Sequence, residues 1–322
     1  MATKIEWTDV TDNIIVVKGG GWWCRKISDG CDNCYAAKLN MSPFFGGNKL
    51  LYGGDAPAME LKRDILAGWA RQTKPKKHFV ASMTDVFGEW VPYEWISEML
   101  DAMRAAPRQT FQVLTKRPQL AKIRIFTWLG ERGLTRLPDN IWIGTTLESP
   151  LYFFRHKHLM LIPAAVRFWS VEPMLGAVNT RIAFERFGKP EWVICGGESG
   201  HNARPMHPQW ARDLRDLCTA AKVPFFFKQW GSHAPGFDEA LFTHGGAEKK
   251  PHIWMLPDGT VENCWIYDDD GTWDNWTGNP PMKSDDEVSD DVAVMHPCSK
   301  KDGGRILDGK YWNEFPNTGG QG

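Results

Sequence analysis

Three of the chain's seven cysteines, Cys24, Cys31 and Cys34, stand together in "WWCRKISDGCDNCYAAKLN". Clustered thiols do metal or redox chemistry when they are not paired, and an odd total argues against a disulfide framework. Cys195, Cys218, Cys264 and Cys298 are scattered and read as buried or incidental. A closed zinc site uses four ligands, commonly two pairs, and the nearest histidine, His78, lies 44 residues beyond Cys34. Two readings stay open. One is zinc completed by a distant ligand. The other is a [4Fe-4S] cluster held at three corners, its fourth iron free to bind S-adenosylmethionine (SAM) through the amino and carboxylate groups. An electron passed into the sulfonium would then release a carbon radical. On that reading Gly30 permits a tight turn before Cys31, and "YAAKLN" starts a helix whose first amides face an anionic cluster.

The elements that would position these thiols follow from residue 76 onward. Short runs apolar on both parities occur at 78–83, 110–115, 140–146, 166–172, 191–197 and 224–230, the pattern of strands covered on both faces. Between them, 93–106 carries an apolar stripe at Trp95, Ile96, Met99, Leu100 and Met103, and 207–222 repeats it at Trp210, Leu214, Leu217 and Ala221. Strand–helix alternation predicts an α/β fold with a parallel sheet. With "NIIVVK" (13–18) as an N-terminal strand, six to seven parallel strands give a partial (β/α) barrel or an open doubly wound sheet. Residues 1–232 form this core and 233–322 a C-terminal appendage, with a hairpin expected around Pro257-Asp258-Gly259 and a solvated acidic loop at 283–291.

Working residues of parallel α/β proteins gather at the carboxyl ends of the strands. Reading those ends in turn gives Ser82 and Asp85, then Lys116 and Arg117, then Thr146 and Glu148, then Glu172, then Gly196, Gly197 and Glu198, and last Lys228, Gln229 and Trp230. The two glycines before Glu198 would let backbone approach a ligand closely. His207, just before a helix, is either a cap or a proton donor.

A net charge of −1 gives no global signature of a nonspecific nucleic-acid binder, although 17 tryptophans offer faces for stacking on a base. No run has the length of a signal peptide's apolar core or of a membrane span, so a cytoplasmic location without membrane association is expected.

The spacing Cys-x6-Cys-x2-Cys-Tyr-Ala resembles the phage- and prophage-associated three-cysteine-motif family, long catalogued without a function. The blocks "KIEWTDVT", "TDVFGEWVP", "VLTKRP", "RFWSVEPMLG", "WVICGGESG", "ARPMHPQW", "VPFFFKQWG" and "LDGKYWNEFP" extend the resemblance over most of the chain. That family is similar to radical-SAM enzymes, whose common spacing is three then two residues; the longer first gap here is a departure. The resemblance implies metal ligation by Cys24, Cys31 and Cys34, with Tyr35 beside the adenine of SAM. By position at the strand ends, Ser82 and Asp85 are candidates for the amino group of SAM, Lys116 and Arg117 for its carboxylate or a phosphate, and Thr146 and Glu148 for the ribose. Glu172 belongs to the cofactor-binding set, and Lys228, His207 and Glu198 are the catalytic candidates. The resemblance further implies an electron donor such as flavodoxin or ferredoxin, residence in the host cytoplasm if phage-encoded, and radical rearrangement (an isomerase or mutase) of a nucleotide or DNA base in phage DNA modification. The rivals are a zinc-stabilised nucleic-acid-binding module and a SAM-independent iron–sulfur protein of phage defence or counter-defence.

Overall fold

The computed structural model describes residues 3, 5–178, 181–235, 252–266, 273–274, 293–298 and 304–317. The chain runs β1 (Val10–Asp12), β2 (Ile15–Val17), α1 (Tyr35–Asn40), β3 (Met59–Leu61), α2 (Arg63–Trp69), β4 (Lys77–Val80) and α3 (Tyr93–Arg104). It continues through β5 (Thr110–Thr115), α4 (Pro118–Glu131), β6 (Ile141–Thr146), α5 (Phe154–Met160), β7 (Arg167–Val171) and α6 (Arg181–Phe187). The core closes with β8 (Trp192–Gly196), α7 (Pro208–Ala221) and β9 (Phe225–Gln229). Beyond it come β10 (His233–Pro235), β11 (His252–Met255), β12 (Val261–Ile266), β13 (Trp273–Asp274), β14 (Ala293–Pro297), β15 (Ile306–Leu307) and β16 (Lys310–Tyr311).

Seven strands form one sheet in the order β1-β4-β5-β6-β7-β8-β9, every pair parallel. The order never reverses, so the sheet is wound in one direction and is a partial (β/α) barrel rather than a doubly wound sheet. All six strands expected from residue 78 onward are present. The N-terminal one moves: the barrel strand is Val10–Asp12, paired with His78–Val80, whereas Ile15–Val17 turns away to pair antiparallel with Met59–Leu61. The barrel strand escaped an apolar search because it ends in Asp12. That carboxylate accepts from Trp69 Nε1 at 2.8 Å and lies 2.7 Å from His78 Nδ1.

Strand alternation sorts the core into two faces. Phe111, Val113, Ile141, Ile143, Trp169, Val193 and Phe227 point outward against Leu100 and Met103 of α3, Ile125 of α4, Leu159 of α5 and Leu214 of α7. Trp7, Phe79, Trp142, Phe168, Trp192, Ile194 and Phe226 fill the inner face. Trp23, Trp69, Trp128, Trp169 and Trp192 are among the most completely buried side chains and belong to the core, so these five offer no face for stacking on a base.

Beyond β9, β10, β14, β11, β12 and β13 make a five-stranded sheet. Its β11–β12 hairpin turns through Pro257-Asp258-Gly259, where Gly259 adopts φ +93° and Leu256 N donates to Thr260 O at 2.9 Å. The acidic run 283–291 lies outside the described residues. Residues 304–316 return to the core. Asn313 bridges Phe226, Phe227 N donates to Trp312 O at 2.9 Å, and Trp192 Nε1 donates to Glu314 O at 2.8 Å. The return caps the open edge of β9, which would otherwise expose unpaired backbone groups. Among the described residues no helix is long and apolar enough to cross a membrane.

Candidate active site at the strand ends

A cavity of about 310 Å³ opens at the carboxyl ends of the barrel strands. Trp7 and Phe79 of the inner aromatic layer belong to its wall, together with Leu114, Thr146, Ser170 and Lys228 from β5, β6, β7 and β9. The loop between β2 and α1 supplies the rest: Cys24, Cys31, Cys34 and Tyr35 all line the same space. Ser82, Asp85, Lys116, Glu172 and Glu198 do too, whereas Glu148 and His207 do not.

Most strand-end polar groups hold that loop in place. Asp85 accepts from Thr115 Oγ1 at 2.7 Å, Phe87 N at 3.0 Å, Lys116 N at 3.0 Å and Arg117 Nη1 at 3.3 Å. Four donors on two oxygens leave no lone pair for a ligand ammonium, so Asp85 is not the amino-group contact. Arg117 is 2% exposed, lies 4.7 Å over the Trp90 ring, and donates to Arg25 O at 3.1 Å beside Cys24. It anchors the loop and is not available to a carboxylate or phosphate. Thr84 Oγ1 adds a bond to Trp23 O at 2.7 Å.

Glu148 is fully buried and takes Arg155 Nη1 at 2.6 Å, Lys116 Nζ and Ser28 Oγ. Burial opposes its ionisation, but Lys116 and Arg155 outweigh that and hold its carboxyl below the ordinary range. A ribose contact is excluded by this engagement. Gly30 owes its identity to Glu148: a Cβ there would lie 2.6 Å from the carboxylate's Cγ and Oε1, so close approach, not backbone freedom, requires glycine. Glu198 grips Arg204, with Nη2 at 2.6 Å and Nε at 2.9 Å, and accepts Asn33 Nδ2 at 3.0 Å. Burial raises its pKa, but the Arg204 bonds prevail and lower it. Arg204 and Asn33 thereby tie the cysteine loop to the end of β8. The neighbouring Gly197 is needed because a Cβ would fall 1.8 Å from Trp230 O, the chain's own backbone and not a ligand.

The thiols are electrostatically unlike. Burial, reinforced by the nearby Asp85 carboxylate, pushes the Cys24 thiol up to about 12. Burial also disfavours the Cys31 thiolate. Lys116, whose Nζ is 3.4 Å from Sγ, and bonds from Ile27, Ser28 N–H and the Ser28 hydroxyl outweigh it and lower the pKa. Cys34 caps α1, with Lys38 N donating to its carbonyl at 3.1 Å. Tyr35 directs its hydroxyl to Ser82 O at 2.8 Å, and Tyr52 directs its own to Met83 O at 2.6 Å.

Among the described residues no three His, Cys, Asp or Glu side chains are grouped to hold one metal ion. Cys24, Cys31 and Cys34 share a cavity wall without converging on a single point. As a donor set, three thiolates suit an iron–sulfur cluster with one open corner better than a tetrahedral ion, which takes four ligands.

His207 caps α7, its Nδ1 accepting Gln209 N at 3.1 Å, with Pro208 in the first turn. It is placed as a cap, away from the cavity wall. Lys228 and Glu172 form an ion pair at 2.5 Å inside the cavity. Asn33, Tyr52, Ser28 and Arg155 belong to the site's construction without having been singled out from sequence. Asn33 at least lies within the cysteine motif, whereas nothing local marks Arg155.

The chain belongs to the family described as "Protein of unknown function (DUF5131)", which matches residues 2–316. No curated protein matches the sequence significantly. Among solved structures, a mutant of spore photoproduct lyase is similar at 10% identity and a TM-score of 0.37, over 74% of this chain and 68% of that one.

Proposed function

We propose that the protein is a radical-SAM-type enzyme in which Cys24, Cys31 and Cys34 hold a [4Fe-4S] cluster at the mouth of the partial barrel. One observation carries the reading: Cys24, Cys31 and Cys34 all line the cavity into which the strand ends also project. When bound, such a cluster with SAM supplies a 5′-deoxyadenosyl radical able to abstract hydrogen from an unactivated carbon.

The chain's own residues would do the rest. Arg117, held by Asp85, and Asn33 and Arg204, held by Glu198, tie the cysteine loop to the barrel mouth, so that all three thiols line the same cavity. Lys116, held by Glu148, stabilises the anionic form of Cys31, which ligation requires. The apolar inner layer beneath the cavity excludes water from the side where a reactive carbon would sit. Ser82, Thr146, Glu172 and Lys228 remain as the wall groups that contact cofactor or substrate. A nucleotide-type substrate, a flavodoxin- or ferredoxin-type donor, rearrangement chemistry and a cytoplasmic setting belong to the same proposal. They are supported by the family resemblance; the buried tryptophans add nothing to them.

The test is anaerobic reconstitution with iron and sulfide, reduction with dithionite, and assay of 5′-deoxyadenosine from SAM. Product dependent on each of the three cysteines supports the reading. A loaded, reduced protein that leaves SAM intact refutes it.

A further inference from the structure

Two residues that line the cavity each hold a buried polar atom with no partner among the described residues, Gln229 Oε1 and Trp7 Nε1. Native proteins rarely leave such atoms unpaired unless a water or ligand completes them. Gln229 is only 2% exposed. Its surroundings decide which way the amide faces. The two atoms near its nitrogen, Glu172 Oε1 at 3.4 Å and Gly197 O at 3.3 Å, are both acceptors, so the nitrogen must face them and the oxygen is left over. Lys228 Nζ donates to the same Glu172 oxygen, which leaves the ammonium further protons to give.

Most charged side chains here are matched; Arg25 of the same wall instead lies over Trp23 and Trp90 and donates to Gly54 O. Lys228 pairs with Glu172, Asp85 with Arg117, Glu198 with Arg204, and Lys116 with Glu148. A ligand group arriving at Gln229 therefore meets an orphaned acceptor beside a donor, not an uncompensated charge. An uncharged group with an N–H next to a carbonyl matches that pair, and Trp7, on the same wall, holds an orphaned donor in its Nε1.

We propose that Glu172, Lys228 and Gln229 form a recognition subsite for a cis-amide or imide edge. The ligand N–H donates to Gln229 Oε1 and its carbonyl accepts from Lys228 Nζ. Glu172 is the positioning residue that holds both side chains. This rests on reading the cavity as the active site, and it narrows the substrate to a lactam- or imide-bearing heterocycle.

The experiment uses metal-free protein and two probes, uridine, with N–H between two carbonyls, and 3-methyluridine, which lacks that proton. Binding is followed by calorimetry and tryptophan fluorescence. Wild type should bind uridine roughly 10- to 100-fold more tightly, because the methylated probe leaves the buried acceptor unpaired. Gln229→Leu should bring the ratio to about one, and Lys228→Met should weaken uridine about tenfold while keeping a preference. Equal affinity for the two probes, or no binding of either by wild-type protein with native circular dichroism, overturns the proposal. Should a variant fail to fold, the two probes on wild type decide alone. Because the assay needs no iron, protein that prefers uridine but never loads a cluster keeps the subsite and loses the radical reading. Protein that cleaves SAM yet treats both probes alike loses only the subsite.

Discussion

Gly30→Ala tests how the cysteine loop is held. Gly30 sits in a short 3-10 turn, Asp29–Cys31, so alanine meets no backbone penalty there. It does meet Glu148. The added Cβ would lie 2.6 Å from Cγ and Oε1 and 3.0 Å from Cδ. Glu148 cannot retreat, because Arg155, Lys116 and Ser28 pin its two oxygens and its side chain is fully buried. The loop must move instead, at an overpacking cost of about 1–3 kcal/mol. That movement displaces Cys31, the next residue. Urea unfolding of metal-free protein should therefore show a lower midpoint with an unchanged slope. Gly130→Ala in α4, where an added Cβ meets nothing within 4 Å, serves as the control and should be neutral or slightly stabilising. Glu148→Asp, one methylene shorter, should offset part of the loss when combined with Gly30→Ala, a coupling of about 0.5–3 kcal/mol. A Gly30→Ala protein as stable as wild type would refute the claim that Glu148 packs against the loop.

Other expectations follow from the same contacts. His156 is buried neutral, its Nδ1 accepting Trp169 Nε1 at 3.2 Å, and burial lowers its pKa to about 4. The unfolded chain then binds a proton near pH 6.5 that the folded state refuses, so stability falls as pH drops from 6.5 toward 4. A loss of about 2 kcal/mol between pH 8 and pH 5, abolished by His156→Gln, is expected from urea midpoints at the two pH values. Iron content per chain should collapse in Cys24→Ala, Cys31→Ala and Cys34→Ala, yet persist in Cys195→Ala and Cys218→Ala, whose sulfurs belong to the outer core. Phe315→Ala, which removes a ring 5.1 Å from Trp192 and 5.5 Å from Phe226, should cost about 1–3 kcal/mol in thermal unfolding because it loosens the segment capping β9.

How far residue order alone reaches depends on the range of the interaction. Strands such as Thr110–Thr115 and helices such as Tyr93–Arg104 were legible because burial on both faces, or on one stripe, writes a local period. Val10–Asp12 was not, because its last residue is a carboxylate paired across 66 positions with His78. The cavity's membership was largely readable from the rule that strand ends carry the site. The role of each member was not. Asp85 and Glu148 look like ligands of a cofactor in sequence and Glu198 like a catalytic group, but each is spent on a donor from a distant segment, Ser28 reaching Glu148 across 120 positions and Asn33 reaching Glu198 across 165. Glycine was misread for the same reason. At Gly30 and Gly197 the missing side chain makes room for the chain itself.

Elemental analysis with paramagnetic resonance of anaerobically reconstituted protein shows most directly what the three thiols hold. Four iron and four acid-labile sulfide per chain, no zinc, and a reduced-state signal that SAM alters are expected. One zinc per chain, or an iron signal indifferent to SAM, would contradict the radical-SAM reading.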